Sequence, residues 1–82
     1  MTQTVPGFPR LTVEADKLGG QPCIRGYRFG VEQLLGLLAD GMTFDQIQED
    51  YPFLEQADVS EVLRYAAVLA GRDFYVPNRA SA

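Results

Sequence analysis

The chain has 82 residues with 11 acidic and seven basic side chains, a net charge of −4, one cysteine and no histidine. Such a length supplies one domain and too little for two, and a core this small leaves little margin without a staple or a partner subunit. A single cysteine excludes an internal disulfide, and without histidine a structural zinc site has no credible ligand set and a Ser or Cys nucleophile lacks its commonest base.

No run of about 18 apolar residues exists to span a membrane, and the first residues lack the basic-then-apolar pattern of a secretory signal, so a cytoplasmic protein is expected. Charge is unevenly distributed. Residues 1–30 hold four bases against two acids, whereas residues 31–73 hold nine acids against Arg64 and Arg72. An acidic body repels phosphate and suits basic protein partners.

Residues 1–10, punctuated by Pro6, Gly7 and Pro9, read as an extended arm. Leu11 to Glu14 alternates apolar and polar residues, as a short half-buried strand does. Gly19-Gly20 marks a turn. Beyond it, Pro22-Cys23-Ile24 and Tyr27-Arg28-Phe29 flank Arg25-Gly26, which predicts a second small extended unit or hairpin. A first helix is predicted from Val31 to Asp40, with Val31, Leu34, Leu35 and Leu38 on one stripe and Gly41 as its left-handed stop. Gly36 sits within it, either for close approach of another backbone or simply tolerated.

The second helix has a capping box in Thr43 and Gln46 and a staple in Met42 and Ile47, and Pro52 limits it to about two turns. A third helix is predicted from near Glu55 to just before Gly71, with Leu54 and Val59 as another staple. Its stretch Tyr65 to Ala70 is apolar all round and needs cover, either from the tail Phe74-Tyr75-Val76 or from a second copy, so a homodimer is expected. These elements predict a mainly α fold, a compact three-helix bundle preceded by a short N-terminal β-hairpin or extended arm. The second and third helices form a helix-turn-helix pair. The predicted organisation is an arm over 1–10, one domain over 11–73 and a tail over 74–82.

Little in the chain points to catalysis. Cys23, between Pro22 and Ile24, reads as a small apolar filler. Asp45, Glu49 and Asp50 read as a solvated face rather than a hard-metal site. No catalytic residue, metal or cofactor is expected. The segment GGQPCIRGYRFG offers Arg25 and Arg28 as guanidinium forks, with Tyr27 between them, to phosphates or to carboxylates, and these three residues are the candidate nucleic-acid contacts. The competing reading pairs these arginines with the acidic helices beneath. As a major-groove reader the third helix would present Asp58, Ser60, Glu61 and Arg64, a poor set for base edges. Asp58, Glu61, Arg64 and Tyr65 are assigned instead to a partner-contact face.

The ordered set Gly20, Pro22, Ile24, Gly26, Arg28, the leucine-rich helix Leu34 to Leu38, Gly41 to Thr43, and Tyr51-Pro52 resembles the short prokaryotic family of unknown function numbered 433. The resemblance covers about residues 11–70. Tyr27 stands where the family usually has Thr, and Glu55 where it usually has Ser or Thr. What the resemblance implies is a homeodomain-like helix-turn-helix fold and an antitoxin-like role beside a small nuclease-like toxin. The leading expectation is therefore a dimeric protein that binds and neutralises such a toxin, with promoter autoregulation as a second activity on DNA. The alternative is a stand-alone DNA-binding transcriptional regulator, and a third reading is a scaffold with neither activity.

Overall fold

The computed structural model describes residues 2–74. Its first feature is a hairpin: β1 (Gln3–Val5) pairs antiparallel with β2 (Phe8–Val13). Pro6 and Gly7 make the connection, with Gly7 at φ +84°, the position in a type II turn that only a residue tolerating positive φ fills easily. Register shifts between Thr4↔Thr12 and Val5↔Phe8, so residues 9–11 of β2 bulge out opposite β1. Pro9 lies in that bulge, where its missing N–H costs no ladder hydrogen bond. A 3-10 turn at Leu18–Gly20 leads to β3 (Cys23–Ile24), which pairs with the other edge of β2 through Leu11↔Ile24 and Thr12↔Cys23.

The helices follow. Helix α1 (Val31–Ala39) ends in a Schellman motif: Met42 N–H donates to the Leu37 carbonyl, Gly41 N–H donates to Leu38, and Gly41 takes φ +88°. Helix α2 (Phe44–Asp50) starts on the predicted capping box. Thr43 Oγ accepts from Gln46 N–H at 3.2 Å, and Gln46 Oε1 accepts from Thr43 N–H at 2.9 Å. Helix α3 (Gln56–Phe74) continues through Gly71, one turn past its predicted end, because a lone glycine weakens a helix without breaking it. Gly36 meets nothing within 4 Å of a Cβ built on it, so no close backbone approach requires it.

Leu11 and Ile24 from the sheet, Phe29, Val31 and Leu34 around α1, Ile47, Leu54, Val59 and Val62 form one buried core. Both predicted staple pairs contribute to it, with Met42 packed against its edge.

Two expectations are corrected here. The mainly helical, homeodomain-like bundle gives way to three helices packed with a three-stranded antiparallel sheet of order β1-β2-β3. Of the two readings of the N-terminus the extended arm is the one overturned, because residues 3–10 form β1 and the first half of β2, a hairpin. The physical reason is burial. Asp58 and Glu61, on the half of α3 nearest the sheet, are buried under contacts from β2 and from the loop after β3, so that half cannot be free to enter a groove as a reading helix must. Tyr75 and Val76, from the tail considered as cover for α3, lie outside the described residues.

Candidate functional site

The turn after β3 is the most tightly specified loop. Tyr27 N–H donates to the Ile24 carbonyl at 2.8 Å, and Arg25 and Gly26 both take positive φ (42° and 80°), the pattern of a type I′ turn. Gly26 suits the second of these positions. Arg25, which carries a Cβ, is held in its left-handed conformation by what surrounds it. Gly26 N–H donates to the buried Thr12 hydroxyl at 2.9 Å, and Lys17 Nζ donates to the Gly26 carbonyl.

The two arginines of this turn point to different fates. Arg25 turns inward and forms a two-pronged pair with Asp58: Nε to Oδ1 at 3.0 Å and Nη2 to Oδ2 at 2.9 Å. It also donates to the Phe53 carbonyl at 2.6 Å. Arg28 is exposed and makes no ion pair among the described residues. Tyr27, 42% exposed, stacks on Phe53 with ring centroids 4.2 Å apart, and the Arg25 guanidinium lies 5.3 Å from its ring centroid. Of the three residues assigned to nucleic acid, Arg25 is thus engaged by a carboxylate, Tyr27 by a neighbouring ring, and Arg28 alone projects freely.

The four residues assigned to a partner face are also divided. Asp58 is fully buried. Besides Arg25, it accepts from Arg10 Nη1 at 2.9 Å and from Glu55 N–H at 2.8 Å, the last being a helix-start bond from the third helical residue back to the one before the helix. Burial would push its carboxyl up, but the hydrogen bonds from Arg25, the Glu55 N–H and Arg10 outweigh it and hold the group below its ordinary value.

Glu61, 4% exposed, accepts from the Arg10 backbone N–H, a donor that the β2 bulge leaves without a partner in β1. Its other oxygen accepts from Arg64 at 3.2 Å. Asp58 and Glu61 are therefore interior groups, and their assignment to a partner-facing surface is corrected: they lock β2 and the Arg25 turn to α3. Arg64 is exposed, and half-buried Tyr65 packs edge-to-face on Phe8, with centroids 5.3 Å apart.

Arg10 completes this network, bridging Glu55 at 2.8 Å and Asp58. It carries no local signal in the sequence, since its partners lie 45 to 51 residues away. Cys23 is buried, and burial pushes its thiol up, as befits an unreactive filler.

Electrostatically the outcome is a separation of charges. Among the described residues, Arg10, Lys17, Arg25 and Arg64 all make ion pairs. The exposed carboxylates of Glu32, Asp40, Asp45, Glu49 and Asp50 make none. Asp45 and Glu49, one helical turn apart on α2, share a shallow hollow with Gln48 and Pro52. Among the described residues no three acidic, His or Cys side chains converge as a metal would require, and no helix is long and apolar enough to cross a membrane.

Comparison with known proteins adds one positive result. The model of the family described as "Protein of unknown function (DUF433)" matches residues 11–66. The matched segment begins at β2 and ends one residue beyond Tyr65, so it contains the Arg25 turn, α1, α2 and the buried half of α3. No curated protein and no solved structure matches the chain.

Proposed function

We infer that this chain, which belongs to the DUF433 family of proteins of unknown function, is a cytoplasmic, non-enzymatic interaction protein of antitoxin type that binds and neutralises a basic, nuclease-like partner. The observation that carries this reading is the separation of charges. Four of its cations are spent on intramolecular pairs, and the carboxylates of α1 and α2 stand at the surface with no ion pair among the described residues. Such a face attracts a cationic, RNA-cleaving protein and speeds its encounter. The absence of His from the chain and the burial of Cys23 give catalysis little to work with.

Contact then falls on Asp45, Glu49 and Asp50 rather than on Asp58 and Glu61. A stand-alone DNA-binding role, or promoter autoregulation as a second activity, has less support. Arg25 is bound to Asp58, and Arg28 remains as the one exposed guanidinium of the turn.

Co-expression with the product of the neighbouring reading frame tests the proposal. The two proteins should co-elute, the partner's nuclease activity should fall, and Asp45→Lys with Glu49→Lys should slow association more than it shortens the lifetime of the complex. No capture at low ionic strength would overturn it.

A further inference from the structure

Helix α3 continues past the body that covers its first half, and its core-facing stripe continues with it. Beside that stripe lies an apolar slot of about 420 Å³, walled by Pro22 before β3, Val31 and Leu35 on α1, and Tyr65, Ala66 and Leu69 on α3. Among the described residues this is an extension of the core with one side open. A wall needs one apolar stripe, yet the helix is apolar on its other sides as well: Leu63 is 49% exposed and Val68 48%, and no charged side chain stands between Arg64 and Arg72.

We propose that a second copy of this chain fills the slot, giving a twofold dimer in which the α3 helices cross antiparallel. The stripe Leu63, Ala66, Ala67 and Ala70 stands at i, i+3, i+4 and i+7, the spacing of a helix–helix contact, and Ala66 and Ala70 belong to the slot wall as well. Its alanines allow two helix axes to approach toward the low end of the usual 8–10 Å. Around a twofold axis near Ala66 and Ala67, Leu63 of each copy passes over Ala70 of the other and into its slot. The contact is isologous, with each surface serving as both knob and hole.

A different protein would need only the wall. The outward Leu63 and Ala67 are accounted for when the helix that forms one slot also plugs another. Charge selects the same place. Two copies at −4 each repel through their bodies, and this uncharged length of α3 is where they can meet. The dimer should therefore tighten as salt rises, whereas the acidic-face complex proposed above should weaken, so the two readings can fail separately.

The test uses the full chain in sedimentation velocity at micromolar concentration, which should show a dimer that strengthens between low and high salt. Ala67→Glu places an unpaired charge at the crossing and should weaken dimerisation roughly 100-fold with the helical circular dichroism unchanged. Val68→Glu, about 100° away around the helix from Ala67, should leave the dimer intact. Under oxidation Ala67→Cys should crosslink two chains near the axis while Val68→Cys does not; the native Cys23 is buried. A wild-type monomer without an Ala67→Cys crosslink would overturn the proposal. So would equal disruption by both charged variants. If Ala67→Glu kept the wild-type association state but lost the partner protein, the slot would belong to that partner and not to a second copy.

Discussion

Helix α3 is two regions with opposite habits. From Gln56 to Arg64 it carries Asp58 and Glu61, and both carboxylates are buried; from Tyr65 to Gly71 it carries no charge, and Val68 and Leu69 stand 48% and 39% exposed. Charge inside and apolar surface outside invert the ordinary rule for a helix. In the first half the inversion is resolved within the chain, because Arg10, Arg25, Arg64, the Glu55 N–H and the Arg10 N–H supply donors to every buried carboxylate oxygen. No buried side-chain polar atom among the described residues lacks a partner. In the second half nothing among the described residues resolves it, and on the dimer proposed above a second copy does. The first half is therefore about folding, and the proposed dimer assigns the second to association.

That contrast predicts a steep gradient of mutational effects. The largest should come from Asp58→Ala, which takes from Arg25 its carboxylate partner and from Arg10 one of its two. Breaking a buried pair in this way costs about 3 kcal/mol or more, read as a lower urea midpoint at unchanged slope. A loss below about 1 kcal/mol would mean that water already screens the network, and the contrast between the halves would fail. The same carboxylate sets the acid limb. Its folded value is depressed, so its stabilisation is complete above the ordinary carboxylate range and is lost as pH falls through that depressed value, below about pH 4. Asp58→Asn should flatten the fall in stability over that interval, and an unchanged acid limb would assign it to other groups.

Two substitutions off α3 give the intermediate scale. Thr43→Ala removes the hydroxyl that accepts the Gln46 N–H and should cost about 1 kcal/mol. Gly36→Ala, exposed in α1 with open space around the new methyl group, should stabilise by about 0.5–1 kcal/mol, and destabilisation there would reveal a neighbour over that face. The smallest effect should fall in the second half of α3 itself. Val68→Thr should change the unfolding free energy by less than about 0.5 kcal/mol, despite altering a large apolar residue. A loss comparable to that of Asp58→Ala would show that this half is covered within the protomer.

What the sequence by itself determined is what depends on near neighbours. Caps, stops and stripes act over three to seven residues, so Thr43 with Gln46, Gly41, the Val31–Leu38 stripe and the Arg25-Gly26 turn all stand where local chemistry sets them. The all-apolar length of α3 was legible for the same reason, and the order of Gly20, Pro22, Ile24, Gly26 and Arg28 led to the family.

The tertiary structure alone decided the rest, because it turns on pairs far apart in the chain. Residues 3–10 carry turn formers and two prolines, and only a bulge opposite β1 makes room for Pro9 inside a strand. Asp58 and Glu61 sit on a helix as ordinary surface acids would, and nothing within one turn of either distinguishes the two. They became interior because β2 brings an arginine and an unpaired N–H across 48 and 51 residues, and a second arginine arrives from 33 residues away. A buried carboxylate is tolerable only with such donors in place, and their meeting is a property of the packed sheet and helix, not of either segment.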